Sequence, residues 1–193
     1  MDALARLMFA PTPSRPAEQP AGREIENDPG GNPCFGCGPD NPHGLHLRFF
    51  DDGEVVRAPL RLDERFAGWP GYSHMGIIFV AMTDTGGWAV WERLGPSRID
   101  SDFVFRPRMP PKLGALIIEA RVAVDRAKAF VDVRALANDI EVSRVSWHAR
   151  AGTPEEAKQM LQFPGLPRSL KAGFEARAAE RSGSSSRSQR ASK

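Results

Sequence analysis

Cysteine is scarce in this sequence: Cys34 and Cys37 are the only two among 193 residues. A disulfide-stapled secreted domain needs more, so the scarcity points to a reducing, cytoplasmic compartment. A long apolar run is missing as well. The longest, Met75 to Trp91, is broken by Asp84 and by Gly86–Gly87, and it falls short of the roughly 20 residues of a membrane span. No secretory leader is expected, because MDALARLMFA carries an acid at position 2 and no small-residue cleavage pattern follows. Charge of one sign does not dominate either. A formal net charge of +2 gives no reason to expect a nucleic-acid or membrane partner.

What is present suits one domain with tails. Hydrophobic residues make up 41% of the chain, enough to bury a core. Residues 1–32, rich in Pro, Gly, Glu and Ala without periodicity, read as a flexible N-terminal arm. Residues 33–152 carry the periodic patterns. Two helical pieces interrupted by Pro164 and Pro167 are expected over 153–181 as a peripheral segment. The run SGSSSRSQRASK (182–193) is a disordered basic tail by composition.

Within 33–152, alternation predicts strands at 45–50, 54–62, 99–107, 114–126, 129–137 and 140–150. Pro59 suggests an edge or a bulge in the second of these, and a phase change near Ser143–Arg144 suggests a bulge in the last. Ala127–Lys128 is a tight connection. Between the second and third strands lies one helix, 74–93, apolar nearly all round. Short turns make neighbouring strands antiparallel, and a helix with no polar face must be covered by the sheet. The expected class is α+β, a curled antiparallel sheet wrapped around one long central helix.

Three segments taken in order, CFGCGPDNPHGLHLRF (34–49), FAGWPGYSHMGIIFVAMTDTGGWA (66–89) and FVFRP (103–107), resemble the hotdog-fold acyl-CoA thioesterases of the PaaI-like group. The resemblance covers roughly residues 33–150. It implies a hotdog fold, a homodimer or higher homo-oligomer, active sites between subunits, and an acyl thioester substrate on coenzyme A or an acyl-carrier protein. No cofactor is implied beyond coenzyme A as part of the substrate.

Thioester hydrolysis needs oxyanion donors and a group that activates water. With Ser73 as the expected N-cap, free N–H groups of the first helical turn can polarise a carbonyl. In the family this role belongs to an HGG turn, which here would fall to the backbone of Met75 and Gly76 after His74. The sequence departs from the pattern, since Met75 stands where the family has glycine. The family acid lies nine residues after the histidine, which is Thr83 here, whereas Asp84 comes at ten. One residue rotates a side chain by about 100° around a helix, so Thr83 and Asp84 are rival candidates for the catalytic position. An acid in an apolar helix must be paired or functional. Gly86 and Gly87 give up helix propensity of up to about 2 kcal/mol together, which suggests close approach of backbone or ligand on their face. Arg106, Arg108 and Lys112 are candidates for holding the coenzyme A phosphates.

Other constellations are weaker. Cys34, Cys37, His43 and His46 form C-x2-C-x5-H-x2-H, a set of soft ligands with short spacing for zinc, and no metal is expected. GYSHMG lacks the strand–turn–helix setting of a nucleophile elbow, and GCG at 36–38 completes no dinucleotide fingerprint. The sequence thus predicts a thioesterase. A hotdog enzyme of dehydratase or isomerase type, or a non-catalytic acyl-thioester-binding protein, are the alternatives.

Overall fold

The structure is a computed structural model, and it describes residues 20–27, 31–162 and 172. The second helical piece of the C-terminal segment, the basic tail and most of the N-terminal arm lie outside the described residues. In chain order the elements are β1 (Arg23–Ile25), β2 (Phe49–Asp51), β3 (Val55–Leu62), a 3₁₀ turn (Glu64–Phe66), β4 (Ala67–Trp69) and β5 (Tyr72–Ser73). Helix α1 (Met75–Leu94) follows, then β6 (Ser97–Ile99), β7 (Val104–Pro107), β8 (Gly114–Asp125), β9 (Lys128–Ala137), β10 (Ile140–Ala151) and α2 (Pro154–Leu161).

Eight strands form one antiparallel sheet in the order β1-β2-β3-β8-β9-β10-β6, with β7 also on β10. The chemistry of the long strands explains their pairing. Leu116, Ile118 and Ala120 of β8, Val131, Val133 and Ala135 of β9, and Val145, Trp147 and Ala149 of β10 are all buried on one face. Residues between them carry charge across the other face, where Arg57 and Arg134 both bond Glu119 and Arg144 bonds Asp132. The turn into β9 is the two-residue Arg126–Ala127 loop, and Asn138–Asp139, both at positive φ, close the β9–β10 hairpin. The predicted bulge in the last strand is present as a register shift between Glu141 and Ser143. Pro59 pairs only with β8, because β2 ends beside Val56 and Arg57 and leaves nothing for the missing N–H to satisfy.

Helix α1 packs against β3, β8, β9 and β10, burying Ile78, Ala81, Met82, Thr85, Trp88, Ala89 and Val90. Trp88 stacks on Phe49 at 5.1 Å, and Phe79 meets Phe103 and Phe105 edge-on. The far end is anchored by Arg93, whose two terminal nitrogens donate to both oxygens of Asp51 at 2.7 and 2.6 Å, a bidentate pair. Gly95, at φ 82°, ends the helix.

Four details differ from the sequence expectation. Residues 23–25, within the expected arm, form an edge strand on β2. The expected strand at 45–50 begins only at Phe49, because the N–H groups of Leu45 and Leu47 donate to Phe35 O and Gly36 O instead. The 99–107 strand splits into β6 and β7, with Phe103 between them turned onto Trp147. The helix cap is His74 rather than Ser73, whose hydroxyl is buried without a partner among the described residues. The first helical piece of the C-terminal segment is present as α2, with a capping box between Thr153 and Glu156.

The two helix glycines have different reasons. A Cβ at Gly86 would overlap the Trp147 ring and approach Val133 Cγ2 to 2.9 Å, whereas one at Gly87 would meet nothing within 4 Å. Gly86→Ala should therefore destabilise the protein by about 1–3 kcal/mol through overpacking, while Gly87→Ala should stabilise it by up to about 1 kcal/mol. Urea unfolding of the two variants checks the opposite signs.

Candidate functional site

Asp84 leaves the apolar helix toward the loop that precedes β2. That loop is built to sit there. Cys34 O accepts from Gly38 N–H at 2.9 Å, which closes one helical turn over Cys34-Phe35-Gly36-Cys37-Gly38. Asn32 Oδ1 accepts from Cys34 N–H, Asp40 Oδ2 from Gly31 and Asn32 N–H, and the Asn27 amide donates to Cys37 O. Asn41 ties the Asn-Pro-His-Gly-Leu turn to Pro33 O. Two of its glycines are sterically required. A Cβ at Gly36 would overlap the Asp84 carboxylate, and one at Gly38 would overlap backbone atoms of Asn32 and Cys34.

The result is a triad of acids. Cys34 Sγ lies 3.3 Å from Asp84 Oδ2, and both sulfurs and the carboxylate fall within 4.8 Å of one another. Both thiols are free; Cys34 is half-buried and Cys37 buried. Burial, followed by the charge and hydrogen bond of Cys34, pushes Asp84 up from 3.8 to about 7. Cys34 moves the other way, from 9.0 to about 5, because the Cys37 thiol donates to it and the N–H groups of Cys37 and Gly36 and the Asp84 carboxyl add to that. Cys37 is pushed up by its bond to Cys34, by burial and by the Asp84 charge. One negative charge is thus shared by three groups, held mainly on Cys34, and a second enters as Asp84 ionises near neutrality.

The sequence singles out Asp84 as an acid that must be paired or functional. The mate is a thiol fifty residues upstream, and the contact's trace in the sequence is Gly36, between the two cysteines, which makes room for the carboxylate. His43 and His46 are exposed and do not join the sulfurs, so the C-x2-C-x5-H-x2-H set is not assembled. Thr83 is half-buried, and its hydroxyl donates back to Phe79 O and Val80 O at 3.0 Å. It touches no base.

At the other end of α1, His74 Nδ1 accepts from Gly76 N–H at 3.0 Å, so of the two candidate oxyanion donors one is already bonded. Met75 N–H has no partner among the described residues. Met75 lies nine residues before Asp84, about 13 Å along the helix axis. Arg106 and Arg108 share a groove of about 570 Å³ with Arg144, Asp132 and Glu141. Glu141 accepts from Arg108 at 2.8 Å and Asp132 from Arg144 at 2.7 Å. Lys112 does not line it; its backbone bridges to Tyr72.

No protein-family model and no curated protein matches the chain. Solved structures do. A mutant of the phenylacetic acid degradation protein PaaI from Thermus thermophilus is similar over 56% of this chain and 95% of that one, at 14% identity and a TM-score of 0.51. The TT0310 protein from the same organism matches at 14% identity and 0.50, over 56% and 93% of the two chains. AziG from S. sahachiroi matches at 16% and 0.50, over 55% and 91%. At these identities the likeness is one of fold. No helix among the described residues is long and apolar enough to cross a membrane.

The thiol–acid pair predicts an unusual pH dependence of stability. Unfolded, Asp84 and Cys34 titrate at 3.8 and 9.0; folded, the pair titrates near 5 and 7. Between pH 4 and 5 the folded pair holds more protons than the unfolded one, so stability falls as pH rises. From 5 to 7 the two states match, and from 7 to 9 the folded pair holds fewer, so stability rises. The difference in unfolding free energy between the wild type and Cys34→Ser/Asp84→Asn, followed by urea titration, should show this flat-bottomed trough.

Proposed function

We propose that this chain, which has the hotdog fold, hydrolyses an acyl thioester carried on coenzyme A or an acyl-carrier protein. The observation that carries the reading is the Asp84 carboxyl: half-buried midway along an apolar helix and raised to about 7, it has the proton affinity a general base needs at neutral pH. The motifs shared with the PaaI-like group support the substrate class.

Met75 N–H, at the positive end of the helix dipole, polarises the thioester carbonyl. Gly76 N–H joins it when the His74 ring swings aside. Asp84 takes a proton from water as the water attacks the carbonyl carbon, and the carrier thiolate leaves. One carbonyl carbon cannot touch both groups of one helix across about 13 Å. The reaction therefore uses the helix N-terminus of one chain and Asp84 of another, which makes a homodimer the smallest active unit. Thr83, bonded into its own helix, plays no chemical part. The groove of Arg106, Arg108 and Arg144, with one excess positive charge, is the reading for the carrier's phosphates.

One observation favours a non-catalytic acyl-thioester-binding protein instead: His74 occupies Gly76 N–H, leaving a single free donor. An acyl-CoA panel assayed for released thiol separates the two. Hydrolysis should rise with pH through about 7, Asp84→Asn should lower kcat by about 10²–10⁴-fold, and Thr83→Ala should leave it near the wild-type value. No thiol from any substrate contradicts hydrolysis; undiminished release by Asp84→Asn contradicts the role of Asp84.

A further inference from the structure

We propose that Cys34 and Cys37 form a dithiol–disulfide exchange site whose substrate is the disulfide of a low-molecular-weight thiol, with Asp84 as the proton carrier for the buried sulfur. This goes beyond thioester hydrolysis and needs no acyl substrate.

Placement carries the inference. The two sulfurs belong to one turn, closed by Gly38 N–H on Cys34 O, and lie within 4.8 Å of each other, near enough to join with little backbone movement. Their exposures differ in the useful direction. Cys34 is half-buried and can be reached, whereas Cys37 is 7% exposed and cannot meet an external disulfide. Backbone N–H groups of Cys37 and Gly36 converge on the Cys34 sulfur, as a thiolate requires. Around Cys37 stand the Asn32 amide, with Nδ2 4.0 Å from the sulfur, and the Trp88 side chain. Donors of this kind stabilise the thiolate that forms transiently there. Asp84 touches the same pair from the helix, in space that Gly36 leaves open for it.

The exchange balances. Cys34 thiolate attacks one sulfur of the external disulfide, forming a mixed disulfide and releasing one thiolate. Cys37 gives its proton to the Asp84 carboxylate and its sulfur attacks Cys34 Sγ, which forms the Cys34–Cys37 bond and expels the second thiolate. The Cys37 proton reaches one released thiolate by way of Asp84, and the other thiolate takes from water the proton that Cys34 gave up when it ionised. The protein is oxidised by two electrons and the external disulfide is reduced by two. Low-pKa attack by an accessible sulfur and resolution by its neighbour are the requirements of such a couple.

The test is incubation of the full chain with glutathione disulfide in one arm and coenzyme A disulfide in another, followed by intact mass and free-thiol titration. The wild type should lose both free thiols and two hydrogen masses, without a lasting adduct. Reaction in both arms identifies a general exchange site; reaction confined to the coenzyme A arm identifies a site for the pantetheine thiol. Cys37→Ser should trap one adduct on Cys34, Cys34→Ser should take none, and Asp84→Asn should form the mixed disulfide but resolve it about 10²-fold more slowly. Thermal unfolding of each variant checks that it is folded. A persistent adduct on the wild type, an adduct on Cys37 in Cys34→Ser, or stoichiometric zinc held by both thiols in protein purified without chelator would each overturn the proposal.

Discussion

The chemistry of this protein hangs on the contact between Asp84 and the Cys34–Gly38 turn. A carboxyl group on a helix buried in a sheet would ordinarily have to find a cation or reach water. Here it finds two thiols and a turn whose middle residue has no side chain. Thiols are weak partners. They satisfy the carboxyl without neutralising it, and their own charge raises its proton affinity instead of lowering it. The contrast with Asp51 is instructive, because two strong bonds from Arg93 hold that carboxyl well below the usual range. Asp51 anchors the helix; Asp84 remains free to exchange a proton near neutral pH.

The rest of the architecture serves that contact. The loop from Asn32 to Leu47 uses its backbone N–H groups in its own turns, and so it reaches the helix instead of extending β2. Phe49 stacked on Trp88 fixes the point where the loop ends, one helical turn beyond Asp84. At the opposite end, the His74 cap and the free Met75 N–H lie too far along the axis to act on the same atom as Asp84 in one chain. Distance along the helix thus turns the hydrolytic reading into one about two chains.

Periodicity revealed the parts of this fold that rest on alternating burial: β3, β8, β9, β10 and the helix begin and end within a residue or two of expectation. It could not reveal elements set by competing hydrogen bonds. Leu45 and Leu47 alternate as a strand does, yet their N–H groups go to loop carbonyls. Ser73 has the side chain of a helix cap, but its N–H is taken by Pro111 O and its hydroxyl is buried, so His74 assumes the cap. At the site, Asp84 was conspicuous because acids are expensive in apolar helices, and Cys34 and Cys37 were conspicuous by their rarity. That they meet was not legible, because a contact fifty residues apart leaves no local pattern. Gly86 suggests room for a ligand or backbone by its place in the sequence, and the side chain of Trp147 fills that room.

The most direct measurement is the protonation of Asp84 itself, followed through the ¹³C resonance of its side-chain carboxyl between pH 4 and 9 and assigned by loss of the signal in Asp84→Asn. The account predicts a titration centred near pH 7 that moves to lower pH in Cys34→Ser, where the neighbouring charge is gone. A carboxyl that titrates near its usual 3.8 in the folded wild type would contradict it.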